Sequence, residues 1–172
     1  MTTPTVYQRI GEFIVSFQNI ESEIYDILRL IAYTDDENIR TEASKLQNSK
    51  HLNYSKLLTI ADAMFARFVD LQLEPDLSIK LEFKKLMRNE LKNLGFRRNT
   101  LVHSKYTPWV NVEGNEGLIR ENLKRHSNSS RDEENLLPEA FKTDLEHLSD
   151  VLKRLEKFRQ MVINMLYPNM QV

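Results

Sequence analysis

The chain has 172 residues, 41% of them hydrophobic and 28% charged, with 24 Lys and Arg against 25 Asp and Glu and a formal net charge of -1. That balance and length fit one folded domain over residues 1–172 and argue against a disordered or fibrous chain. The absence of cysteine excludes a disulfide framework and a thiolate nucleophile, and four glycines and five prolines leave little material for a turn-rich sheet protein.

Thr3 and Pro4 offer a hydroxyl cap followed by a proline, a good start for a first helix. Val6, Ile10, Phe13, Ile14, Phe17, Ile20, Ile24, Ile27, Leu28 and Ile31 then recur at helical spacing and predict an amphipathic helix of about 26 residues. Gly11 lies inside it, either permitting a close helix crossing or tolerated at a cost of about 1 kcal/mol. The run YTDDEN closes this helix, and Asp35 or Asp36 can cap a short second one over roughly 37–48. Leu52, Leu57, Leu58, Ala61, Met64, Phe65, Phe68 and Val69 predict another helix over about 50–70.

After the turn LEPDLS, Asp76 or Ser78 can cap a third long helix, with the stripe Leu81, Phe83, Leu86, Met87, Leu91, Leu94, Leu101 and Val102. Gly95, within this pattern, marks a close contact or a break. Thr107-Pro108 is predicted to end the helix, because proline disfavours the helical region for the residue before it. WVNV-EGNEG-LIR then resembles a small hairpin, and KRHSNSSRDEEN a polar loop. Leu145, Leu148, Val151, Leu152, Leu155, Phe158, Val162, Ile163 and Leu166 define a last helix ending before Pro168. The sum is an all-α fold, a four- to five-helix bundle with a short hairpin-like insertion after the third long helix.

MTTPTVYQRIGEF lacks the pattern of a signal peptide, and no run reaches the roughly 18 apolar residues of a spanning helix. The expected location is the cytoplasm, without a membrane partner. Charge is unevenly spread: residues 92–131 carry eight Lys or Arg and three acids, a local surplus of five. Such a stretch is either ordinary surface scatter or a basic face that attracts a polyanion.

Four histidines are present, His51, His103, His126 and His147, and none belongs to a metal-ligand spacing. No glycine-rich phosphate loop occurs, so neither a metal nor a cofactor is expected. His147 beside Asp144 or Asp150, and His126 in its Ser/Asn-rich stretch, are expected to be solvated. The conspicuous stretch is Arg97-Arg98-Asn99-Thr100-Leu101-Val102-His103-Ser104-Lys105-Tyr106. On a helix Asn99 and His103 share a face, so the amide can orient the imidazole. Arg98 lies about 140° around the axis from His103, and a shared site needs local distortion, a long reach, or a second copy across a dimer axis.

Cleavage of RNA suits such a group, because the 2′-hydroxyl is an internal nucleophile. His103 would move a proton near neutral pH, histidine's ordinary pKa being about 6.5. Arg98 would clamp the phosphate, and Arg97, Lys105, Arg120, Lys124 and Arg125 would hold the flanking backbone. The competing reading is a buried polar network that holds helices together. Tyr106 and Trp109 are expected to pack at the helix end rather than stack on bases.

Arg98-Asn99-x-x-x-His103, late in a long helix of an all-helical chain, resembles the signature of the HEPN superfamily, and RNTLVHS with a following Trp109 matches a familiar variant of it. The resemblance implies a helical bundle that forms a homodimer and brings two copies of the motif into one basic cleft. It implies a metal-independent endoribonuclease with Arg98 and His103 catalytic and Asn99 supporting. The expected partner is RNA, in a toxin or antiviral-defence setting with an antitoxin or regulatory protein as a possible further partner. The alternative is a non-catalytic HEPN-like dimer that binds RNA or protein. Members paired with a nucleotidyltransferase antitoxin often carry Tyr two residues after the His; Lys105 stands there and Tyr106 follows, so that partner is not assigned.

Overall fold

A computed structural model describes residues 5–48, 53–110, 112, 114, 116–122 and 133–168. Helix α1 is Val6–Ala32, and its cap is Thr5 rather than Thr3. The Thr5 hydroxyl accepts the Gln8 N–H at 3.2 Å while the Gln8 side-chain oxygen accepts the Thr5 N–H at 2.7 Å, so two orphan donors of the first turn are satisfied reciprocally. Thr3 and Pro4 lie outside the described residues.

Helix α2 is Glu37–Asn48, with the Asp36 carboxylate accepting the Ile39 N–H at 3.0 Å. Helix α3 is Tyr54–Asp70, capped by Asn53, whose side-chain oxygen accepts the Lys56 N–H at 2.9 Å. Helix α4 runs without a break over 77–102: α-helical at Leu77–Lys85, π-helical at Leu86–Leu91 and α-helical again at Lys92–Val102. Asp76 caps it, accepting the N–H groups of Ser78 and Ile79 at 2.8 and 3.3 Å. Helix α5, Lys142–Leu166, follows a 3-10 turn at Pro138–Phe141.

The helices bury the faces their spacing dictates. Phe13, Phe17, Ile20, Ile24, Ile27 and Ile31 of α1 meet α5 and α3. At the centre Phe65 of α3 stacks on Phe83 of α4 with centroids 3.9 Å apart, and Phe158 of α5 meets both rings edge-on at 5.5 and 5.0 Å. Leu81 and Val102, assigned to the stripe of α4 from sequence, are instead 64% and 45% exposed. Leu81 is two residues from Phe83 and Val102 one from Leu101, about 200° and 100° around the axis, so neither shares the buried face. Gly11 is tolerated rather than a crossing point, since a Cβ there meets nothing within 4 Å.

The fold is mainly helical but not purely all-α. A three-stranded antiparallel sheet, order β1-β2-β3, follows α4, with β1 at Ser104–Val110, β2 at Glu116–Asn122 and β3 at Glu133–Leu136. The expected hairpin is its first two strands, whereas β3 falls largely within the stretch expected as a loop. Its four residues, EENL, carry too little apolar character to signal a strand. It pairs because Leu136 stands opposite Leu118 and Glu134 opposite Arg120.

Helix α4 also ends earlier than proline alone predicts. His103 leaves the helix at φ -105° and ψ 25°, and Ser104 opens the strand. Pro108 then sits inside β1, an edge strand, where a missing N–H is tolerated. No helix among the described residues is long and apolar enough to cross a membrane.

Candidate active site

The last two turns of α4 carry the motif, and α3 sets how closely they approach the bundle. Gly95 is buried against Tyr54: a Cβ there would lie 2.4 Å from Tyr54 Cε1, so Gly95 is a close contact and not a break. The Tyr54 ring rests in turn on Phe17 of α1, with centroids 5.0 Å apart. One turn beyond each contact stand Glu21 on α1 and Arg98 on α4. Burial raises the Glu21 carboxyl above its ordinary range, and the Arg98 charge partly offsets that rise. Burial, with Glu21 nearby, likewise raises the Tyr54 phenol. Glu21 went unnoticed in the sequence, although it occupies an apolar-stripe position between Phe17 and Ile24.

Asn99 and His103 are exposed and Arg98 is half-buried. Arg98 Nη1 donates to Asn99 Oδ1 at 3.0 Å, and the His103 backbone N–H donates to the Asn99 carbonyl at 3.0 Å. The amide oxygen of Asn99 thus holds Arg98 rather than the imidazole expected from the four-residue spacing. The motif ends the helix: Asn99 closes its last hydrogen bond, and His103 projects where helix gives way to strand.

Arg97 and Arg120, read in the sequence as contacts to the RNA backbone, are placed in an internal network. Arg97 Nη1 donates to both oxygens of Glu134 at 2.9 and 3.0 Å, and its Nε donates to Asp144 at 3.0 Å. Arg120 Nε donates to Glu134 at 2.8 Å and its Nη1 to the Ser104 hydroxyl at 3.2 Å, with only 5% of the Arg120 side chain exposed. Burial pulls the Glu134 carboxyl up, but the guanidiniums of Arg97 and Arg120 outweigh it and hold the carboxyl below its ordinary range. The strand period explains the inward turn of Arg120, which lies two residues after the buried Leu118 and shares its face. That alternation was available in the sequence.

Lys105 is exposed on β1, with Glu121 as its cross-strand neighbour. Lys124 and Arg125, like His51 and His126, lie outside the described residues. Tyr106 donates to the Leu101 carbonyl and meets Tyr7 edge-on at 6.5 Å, while Trp109 covers Gly117, its partner on β2. Tyr106 packs at the end of α4 as expected, whereas Trp109 packs within the sheet. His147 stands against α4, its Nε2 3.5 Å from Glu90.

A cleft of about 670 Å³ between the start of α1 and the sheet has Glu116 and Glu139 and no Lys or Arg among the described residues that line it, which suits no phosphodiester. A second, of about 480 Å³, lies between α3 and the first turns of α4, away from the motif. Among the described residues no three His, Asp or Glu side chains gather as they would around a metal ion.

No family model, curated protein or solved structure matches the chain.

Proposed function

We propose that the protein is a metal-independent endoribonuclease of the HEPN type, with Arg98, Asn99 and His103 from two copies of the chain facing one cleft. Exposure of Asn99 and His103 carries this reading. A polar network that only joins helices has its charges paired with one another, as in the neighbouring Arg97–Glu134–Arg120 group. Arg98 and His103, one and six residues from Arg97, instead stand at the surface end of α4, with His103 free of side-chain partners among the described residues.

In the proposed reaction the substrate's 2′-oxygen attacks the adjacent phosphorus and loses its proton to a histidine. The P–O5′ bond breaks, and the departing 5′-oxygen takes a proton back from an imidazolium. Arg98 neutralises charge on the non-bridging oxygens, where guanidinium geometry matches two oxygens at once. A single copy offers one His103, and its Arg98 lies on another side of the helix; a second copy supplies the complementary groups. Arg97 and Arg120 serve this site as scaffold, and Lys105 supplies charge at its edge. A toxin or defence role, with an antitoxin or regulatory protein as partner, follows from the resemblance.

Mapping the ends of fragments from a mixed RNA pool tests the chemistry. The expected fragments carry a 2′,3′-cyclic phosphate and a 5′-hydroxyl. Ends bearing a 3′-hydroxyl and a 5′-phosphate would require water or another external nucleophile and would overturn this mechanism.

A further inference from the structure

Phe96 is 73% exposed, an unusual position for a phenylalanine in the middle of a helix whose other face is buried. Among the described residues its ring stacks on no other aromatic ring and receives no cation. It lies on one helical line with Lys92, Asn99 and His103, at spacings of four, three and four residues. Along the axis Phe96 and His103 are about 10 Å apart.

The charge along this line has one sign. Residues 91–112 contain no Asp or Glu, Lys92 stands one turn before the ring on the same line, and Lys105 follows His103 on β1. A polyanion is therefore drawn along α4 past Phe96, and an aromatic ring interleaved with cations is how an unpaired base is gripped without regard to its identity. In a continuous duplex both faces of each base are already stacked, so the ring offers such a substrate nothing.

We infer that Phe96 is a base-stacking subsite that holds an unpaired nucleotide flanking the linkage cut at His103. The linkage cut at His103 rests on the proposed ribonuclease reading, but the test reads binding as well as turnover. The probe is a short single-stranded 2′-O-methyl oligonucleotide of mixed sequence, which lacks the free hydroxyl and is not cleaved, alongside the same strand annealed to its complement.

Wild type is expected to bind the single strand more tightly than the duplex. Phe96→Ala is expected to weaken single-strand binding roughly tenfold, and Phe96→Leu to weaken it similarly although it retains apolar bulk. Phe96→Trp is expected to restore binding, with the new indole quenched by the oligonucleotide. Because the side chain is exposed, all three variants should keep the wild-type melting temperature, which is measured in parallel.

Equal binding by Phe96→Ala and wild type, or no binding by wild type, overturns the subsite. A shift of Phe96→Ala from dimer to monomer also overturns it, because the ring is then covered by the second copy. If wild type cuts RNA and Phe96→Ala cuts it equally well, the subsite fails while the ribonuclease reading stands. Single-strand binding lost in Phe96→Ala, with no cutting by wild type, keeps the subsite and removes the nuclease.

Discussion

Replacing His103 with alanine is expected to lower RNA cleavage by roughly 10²- to 10⁴-fold, the usual worth of a positioned general acid or base. The fold should survive. The His103 side chain is exposed, and its structural contribution is the backbone N–H that closes α4 on the Asn99 carbonyl, which alanine supplies equally. The loss should therefore appear in kcat with little change in melting temperature. Arg98→Ala is expected to act in the same direction, and Arg98→Lys to recover only part of the rate, because an ammonium cannot match two phosphate oxygens with a planar fork. Unchanged cleavage by folded His103→Ala would remove this histidine from the chemistry.

Glu134→Ala is expected to produce the largest loss of stability, and its effect on activity should be indirect. The carboxylate is shared by Arg97 from α4 and Arg120 from β2, while Arg97 also reaches Asp144 at the start of α5. Removing it leaves the Arg120 guanidinium buried beside no carboxylate, since its side chain is only 5% exposed. Breaking a wholly buried pair costs about 3–5 kcal/mol; with Glu134 itself about a third exposed, about 2–3 kcal/mol is expected here. Denaturant unfolding of the variant measures it, and Glu134→Gln, which keeps an acceptor for both arginines, should lose less.

The same contact sets a pH dependence. The folded carboxyl titrates below the ordinary glutamate value of 4.5, so its pairing stabilises the protein fully above that pH. The stabilisation is lost as pH falls through 4.5 toward the lower folded value. Glu134→Gln should accordingly flatten the decline of stability in acid.

The helices were legible because burial and periodicity coincide in them. Phe13, Phe17, Ile20 and Ile24 announce the inner face of α1, and Asp76 and Asn53 stand where side-chain caps must. The sheet was half legible. Trp109 and Val110 alternate as a strand should, but β3 is four residues whose pairing is decided by Leu118 and Arg120 of its neighbour, a partner no local pattern identifies. Proline is the loudest local signal and points to Pro108 as the end of α4, whereas the chain turns at His103 and β1 pairs along its whole length with β2.

For the site, the motif residues were found by spacing, and the structure adds what spacing hides. Adjacent Arg97 and Arg98 differ by about 100° around one helix, which puts the first against Glu134 and Asp144 and leaves the second beside Asn99. Charge counting treats the two alike. It also counts Arg120 as surface, although the sheet turns it inward.

Metal-independent cleavage through the substrate's own 2′-hydroxyl requires RNA and no divalent ion. The most direct test incubates the purified protein, in excess EDTA, with a mixed-sequence RNA and with DNA of the same sequence. The RNA is expected to be cut and the DNA to be left whole. Intact RNA in the presence of folded, dimeric protein, or cutting of both strands alike, would contradict it.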